Sequence, residues 1–292
     1  MKPLMRLHHS LLPILLAGLG PIAQAADPLV LAGSDLIPES VQEAIVRAGA
    51  ELDLALAPVF EGSLKGREAL ASGAASVALL ARTGEADFPE DWRVHPFAYQ
   101  IAAFVVGSDN PVASLTYDQI NLLLRENAPV QEWGGLVDAP DWSDRKVALQ
   151  ALRREDTLSL ELVNALILER QAFTDSLVLV ETSPETFRKT LVDDPAILGM
   201  VSWIEDLPGT RRLPIAPSSE ARAYHPSRDN VFFGDYPLRL PFQVIIADSL
   251  SAPLRKSLLQ ALYSETVNRS LEAEDFLPVP EQEQRALLFS ID

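Results

Sequence analysis

Leu29-Val30-Leu31-Ala32-Gly33-Ser34-Asp35-Leu36-Ile37-Pro38 is the stretch on which the fold turns. Its first four apolar residues read as a strand, Gly33-Ser34-Asp35 as a turn, and Pro38 stands where a first helical turn tolerates proline. Beyond it Val41, Ala44, Ile45 and Ala48 recur at helical spacing, so the pattern predicts a helix that Gly49 ends. A strand passing through a Gly-Ser turn into an amphipathic helix is the unit of a parallel sheet covered by helices on both faces.

The unit repeats outward from there. Residues 54–60 read as a strand, Gly62-Ser63 as a turn, the residues up to Gly73 as a short helix, and 76–80 as the next strand. An apolar run over 97–106 then meets the break Asn110-Pro111. Thr116 with Gln119 three residues on is a capping-box signature for a helix through Leu124. We read this as the passage into a second lobe, in which 147–152 is a strand, 157–168 a helix with Leu160, Val163 and Ile167 on one face, and 198–203 a strand. The apolar segment 238–246 carries the chain back, and a helix over 251–263 completes the first lobe. Residues 212–235 show little period and are expected to form an ordered loop or inter-lobe segment. The expected architecture is α/β with two lobes, 27–102 plus 236–292 forming lobe 1 and 103–235 lobe 2.

The N-terminus carries Lys2 and Arg6, an apolar run over 11–19 interrupted by Pro13, and Ala23-Gln24-Ala25 ahead of Ala26-Asp27. That is the pattern of a cleavable signal peptide over 1–25, with a retained anchor as the alternative, and it predicts a periplasmic location. No later segment sustains the run of about eighteen apolar residues that spanning needs. The 292 residues contain no cysteine, so neither disulfide nor thiolate metal site contributes and packing alone must hold the fold. With 24 basic against 41 acidic residues the net charge is −17, and a leader whose only charges are Lys2 and Arg6 leaves the rest more acidic still. Such a surface repels nucleic acid, so no nucleic-acid partner is expected. It also opposes a small anion at long range, so capture would rest on local dipoles and donors.

Three places share one design, in which a strand ends, a glycine or hydroxyl follows, and a helix begins: Gly33-Ser34-Asp35, Gly62-Ser63, and Arg154-Glu155-Asp156-Thr157-Leu158-Ser159. Helix N-termini leave N–H groups unpaired and carry partial positive charge, so several of them around one cleft make an anion site. Outside the leader only His95 and His225 remain, and neither lies in a nucleophile motif, so no catalytic residue and no enzyme activity are assigned. Asp193-Asp194 and Asp87 with Glu90 and Asp91 read as solvated acids, so no metal and no cofactor are expected. Trp92, Trp133, Trp142 and Trp203 are expected to pack rather than bind.

Taken with Leu31-Ala32-Gly33-Ser34 and Gly62-Ser63, a longer series of segments carries a family resemblance. It comprises Ser108-Asp109-Asn110-Pro111-Val112-Ala113-Ser114-Leu115-Thr116 with Trp133 downstream, Arg153-Arg154-Glu155-Asp156, Pro195-Ala196-Ile197-Leu198-Gly199-Met200-Val201, and Asp235-Tyr236-Pro237-Leu238. In this order they resemble the phosphate-binding proteins of ABC-type phosphate uptake, within the wider family of periplasmic binding proteins, over most of the chain. The resemblance implies the type II bilobal periplasmic binding protein fold, two α/β lobes joined by a two-strand hinge. It implies a monomer that captures phosphate or a related small anion for an ABC permease in the inner membrane. It places Ser34 and the backbone around Asp35 and Leu36 in a first ligand loop, Ser63 in a second, and Arg154, paired with Asp156, on the anion.

Two departures bear on the ligand. The family's Ser-Gly-Thr after the arginine becomes Thr157-Leu158-Ser159, one residue shorter, which puts a side chain where backbone approaches the ligand. The family's Ser-Asp after the third strand becomes Ala81-Arg82, and an arginine accepts no hydrogen bond, although it can pair with a carboxylate or a doubly charged oxyanion. The alternative function is therefore an accessory or scaffolding protein that keeps the architecture without the ligand and contacts a partner through its acidic surface or through 212–235.

Overall fold

The protein is described here by a computed structural model covering residues 28–82, 88–153, 158–205 and 207–291. The chain begins with β1 (Leu29–Gly33), α1 (Glu39–Ala50), β2 (Leu56–Val59), α2 (Ser63–Ser72), β3 (Val77–Ala81) and β4 (Trp92–Ile101). It continues through β5 (Ala103–Gly107), β6 (Leu115–Thr116), α3 (Tyr117–Leu124), β7 (Ala148–Leu152), α4 (Ser159–Leu166), β8 (Val178–Val180), α5 (Pro184–Asp193), β9 (Ile197–Val201), β10 (Thr210–Arg212), β11 (Ile215–Ala216) and α6 (Arg228–Phe233). It returns in β12 (Arg239–Ala247), followed by α7 (Ala252–Leu262), α8 (Glu265–Ala273), β13 (Leu277–Pro278) and α9 (Glu281–Phe289).

Two large sheets result, one of order β13-β4-β12-β3-β1-β2 and one of order β10-β5-β9-β7-β8, with β11 and β6 forming a small third. In the first, β1 is parallel to β2 and β3, while β12 runs antiparallel to both β3 and β4. The four strands β1 to β4 therefore point the same way, and their C-terminal ends share one edge. In the second, β5 is antiparallel to β9, and β9 is parallel to β7. Because β5 begins just after β4 ends, and its Ala103 pairs with Val201 at the end of β9, the C-terminal ends of β7 and β9 lie on the side of the first sheet.

Local signals explain most of these elements. Helix α1 buries Val41, Ala44, Ile45 and Ala48 as the spacing requires, but it runs to Ala50, with Gly49 buried inside it. A Cβ at Gly49 would stand 2.8 Å from the Leu54 carbonyl oxygen, so this glycine admits the returning chain instead of stopping the helix. The capping box forms as expected: Gln119 N–H donates to Thr116 Oγ1 at 3.2 Å, and Thr116 N–H to Gln119 Oε1 at 2.9 Å. Helix α4 turns Leu162 and Val163 inward, with Leu160 only half-buried. The segment 212–235 holds more structure than its weak period suggested. It contains β11, paired with β6, and the six-residue α6, whose Ser227 cap accepts the Asn230 N–H at 3.2 Å.

The chain passes between the sheets at Ala102 and again at Tyr236-Pro237-Leu238. Ala102 donates its N–H to Leu238 O at 3.1 Å, and its own carbonyl accepts the Tyr236 hydroxyl at 2.7 Å. Tyr236 is fully buried, which pushes its phenol well above the ordinary tyrosine range. Arg239 then donates to the last carbonyls of α6, Val231 O at 2.7 Å and Phe232 O at 3.3 Å. Further ties are Ser202 Oγ to Asp275 Oδ2 at 3.2 Å, and Arg228 to Glu272 and Glu205 at 3.1 and 3.8 Å. Trp133 and Trp203 are buried, while Trp92 and Trp142 are half-buried. Among the described residues no helix is long and apolar enough to cross a membrane, and no group of three acids or histidines is set to hold a metal.

At the far end of β4 from Ala102, His95 is held below its ordinary value of 6.5 by burial and by the positive charges of Arg255 and Arg93, both of which bridge to Asp248. The unfolded chain thus takes up a proton near pH 6.5 that the folded one refuses, so His95 lowers stability as the pH falls below that point. We expect the melting temperature to fall between pH 7.5 and 5.5, and the fall to be shallower in His95→Gln. Equal slopes in the two proteins would contradict this account.

Candidate functional site

The edge shared by β1 to β4 gathers the two Gly-Ser turns. Gly62 N–H donates to Gly33 O at 2.9 Å, which fastens the β2–α2 turn to the end of β1. Ser34 N–H donates to Leu79 O at 2.8 Å, and Ser63 Oγ accepts Ala81 N–H at 3.1 Å, which fastens both turns to β3. Glycine permits each approach. Gly62 has φ 123°, and a Cβ on Gly66 would meet the Gly33 Cα at 2.8 Å, so α2 lies directly on the first turn.

The hydroxyls are arranged as acceptors of backbone protons. Leu36 N–H donates to Ser34 Oγ at 3.3 Å, closing the first turn, and Ser34 is only 1% exposed. A hydroxyl that accepts an amide proton keeps its own proton for a further acceptor, such as an anion oxygen, and Ser34 and Ser63 share this state. Helix α2 adds backbone donors: the bond from Gly66 N–H to Gly62 O is the first of its ladder, so the N–H groups of Ser63, Leu64 and Lys65 have no in-helix acceptor. Asp35 is exposed, and its Oδ1 lies 3.9 Å from where a Gly62 Cβ would stand, so a carboxylate overhangs the second turn.

Arg82 follows Ala81 on the same edge. Its N–H donates to Pro241 O at 2.9 Å, its Nη1 donates to Gln243 Oε1 at 2.9 Å, and its guanidinium sits 4.6 Å from the centre of the Phe88 ring. In the second sheet, Arg154, Asp156 and Thr157 lie outside the described residues. Ser159, the first residue of α4, is 2% exposed, and its Oγ has no hydrogen-bond partner among the described residues. The structure thus brings Ser34, Asp35, Leu36, Ser63 and the backbone of Arg82 to one edge, and places Ser159 on a helix that packs against β4.

Sequence reasoning missed Gln100. It lies on β4, two residues before the passage at Ala102, is 4% exposed, and its Oε1 is buried without a partner among the described residues. The available signal was an amide inside the otherwise apolar run 97–106.

No known protein family matches the sequence, and neither does any curated protein. Solved structures do. A possible phosphate-binding protein from Planctomyces limnophilus DSM 3776 aligns over 92% of this chain and 98% of its own, with 14% identity and a TM-score of 0.69. PstS from Borrelia burgdorferi aligns over 86% of this chain and 98% of its own, with 16% identity and a TM-score of 0.62. An ABC-type phosphate transport receptor from Vibrio cholerae aligns over 85% of this chain and 99% of its own, with 17% identity and a TM-score of 0.57. Likeness at this level of identity establishes the fold: the chain has the two-lobed α/β fold of periplasmic binding proteins, as its sequence led us to expect.

Proposed function

We propose that this chain is an extracytoplasmic solute-binding protein that captures phosphate or a related small anion between its lobes and delivers it to an ABC permease of the inner membrane. It is exported by its leader and acts as a monomer. Lobe 1, residues 27–102 and 236–292, contributes Ser34, Asp35, Leu36, Ser63 and Arg82. Lobe 2, residues 103–235, contributes Arg154, Asp156, Thr157 and Ser159. The lobes close about the double passage at Ala102 and Leu238, and the closed form is what the permease recognises. No bond of the ligand is made or broken.

One observation carries this reading: two serines whose hydroxyls each accept a backbone proton and keep their own to give are fastened to the same short strand, β3, Ser34 by its N–H and Ser63 by its hydroxyl, beside the open N-terminus of α2. Backbone dipoles and hydroxyls bind an anion without net charge, which suits a chain whose own charge is −17. The test is titration of the ligand-stripped protein with phosphate, sulfate and small carboxylates, following tryptophan fluorescence and melting temperature. A bound anion at about 100 times its dissociation constant adds about 2.7 kcal/mol of stability, a shift of several degrees. The absence of a shift with every anion would refute the proposal. It would favour the accessory reading, which draws support from the engagement of Arg82 with Gln243 and Phe88.

A further inference from the structure

Besides the double passage, two ties named above cross between the lobes, and both lie on one flank of it. Asp275 Oδ2 accepts the Ser202 hydroxyl at 3.2 Å, and Ser202, directly after β9, is 4% exposed. Three residues on from Ser202 and three back from Asp275, Arg228 of α6 bridges Glu205 at 3.8 Å and Glu272 of α8 at 3.1 Å. The order β13-β4-β12-β3-β1-β2 sets the passage strands, β4 and β12, between β13 on one flank and the strands that carry the Gly-Ser turns on the other. Leu277 pairs with Tyr99 in antiparallel register, so Asp275, two residues earlier, stands level with Ile101 at the end of β4, on its outer flank. Gly33, at the end of β1, is three strands from β4 on the opposite flank, about 14 Å across the sheet.

Asp275 holds its place against the preference of the backbone. Helix α8 ends in a Schellman turn, with Phe276 N–H donating to Leu271 O at 2.9 Å and Asp275 N–H to Glu272 O at 3.2 Å. Asp275 has φ 59°, the left-handed conformation that glycine usually supplies at this point of such a turn. A side chain kept in a disfavoured conformation points to a use for it, and this one reaches across to the other lobe.

The passage strands stand between these ties and the Gly-Ser turns as a fulcrum. A swing that carries the second lobe toward Ser34 and Ser63 carries it away from β13, so Ser202 leaves Asp275 and the Arg228 bridge opens. We propose that Ser202, Asp275 and the Glu205-Arg228-Glu272 bridge form a latch behind the hinge, which holds the lobes apart and which ligand-driven closure has to break; the inference rests on the lobe closure of the reading above. The latch lowers affinity, because part of the binding free energy is spent on releasing it. Ser202 and Asp275 are its principal pair, a part-buried hydrogen bond to a carboxylate, while the Arg228 pairs, whose side chains are exposed, contribute less.

The test compares wild type, Ser202→Ala, Asp275→Gly and the double variant by calorimetric titration with inorganic phosphate and by the distance between spin labels. The chain has no cysteine, so Glu68→Cys on α2 and Glu161→Cys on α4, both exposed, take one label in each lobe and report closure without any ligand; the titrations use unlabelled protein. The double variant should bind phosphate about 5- to 10-fold more tightly than wild type, and its ligand-free label distances should move toward shorter values. Asp275→Gly alone should tighten binding with no loss of melting temperature, since glycine suits φ 59°, and a merely structural role for Asp275 would not raise affinity. If the double variant does not fold, Asp275→Gly decides the matter alone. A phosphate affinity that is unchanged or weakened in the variants overturns the latch and leaves the anion-binding reading standing. If wild type binds no phosphate, the anion-binding reading fails on its own, and the ligand-free distances judge the latch: a shift to shorter values in the variants upholds it, and unchanged values overturn it.

Discussion

Gly33→Ala is expected to cost about 3 kcal/mol or more and to abolish the proposed anion binding. A methyl group at this position would lie 2.2 Å from the Leu79 carbonyl oxygen and 3.0 Å from the Leu79 carbonyl carbon and amide nitrogen. These are backbone atoms inside a sheet, with no flexible side chain to give way. Relief requires β1 and β3 to part, and these are the strands that hold Ser34 and, through Ala81, Ser63. Denaturant unfolding and anion titration read the two effects separately. Gly73→Ala is the control: it has φ 74° and nothing within 4 Å, so it should cost only about 1 kcal/mol and leave affinity unchanged. A folded Gly33→Ala protein with wild-type midpoint and affinity would show that the turn does not depend on this approach.

Trp133→Ala is expected to destabilise by about 3–5 kcal/mol. Trp133 is fully buried, meets Trp142 edge-on at 5.9 Å between ring centres, and donates its indole N–H to Ala196 O at 3.1 Å. The same carbonyl accepts Ala148 N–H at 3.1 Å, so the indole supports the junction where β7 and β9 begin. Trp133→Phe keeps most of the apolar surface and loses the N–H, and its cost should be smaller, about 1–2 kcal/mol. Similar losses in the two variants, or a loss below 1 kcal/mol in Trp133→Ala, would refute the assignment of Trp133 as a keystone of the second sheet.

Legibility followed the range of the interactions. The units β1–α1 and β2–α2 and the capping box at Thr116 are set by residues within a turn of one another, and the sequence displays them openly. Gly62-Ser63 was readable as a turn for the same reason. Helix α6 has fewer than two turns, too short to show a period, and β13 has two residues and exists by virtue of its pairing with β4. Helix α8 went unread although Ser264 caps it by accepting the Val267 N–H at 3.3 Å; it presents only Val267 and Leu271 to the core, a thin stripe on an otherwise polar helix. Contacts between distant segments leave no local trace. The bond from Ser202 to Asp275 spans 73 residues, the turn of Arg82 toward Gln243 spans 161, and the burial of Gln100 Oε1 without a partner among the described residues arises only once β4 is packed.

Ala102 offers one backbone group to each of two neighbours on the returning chain, Leu238 and Tyr236. The outgoing and incoming passages are therefore knotted into one strap rather than lying as two independent cords. Sliding one along the other, or peeling them apart, breaks two bonds together, whereas swinging about the strap breaks neither. The closure proposed above, if it is a swing about this strap, would leave both bonds whole and bring the same residues of the two halves face to face each time.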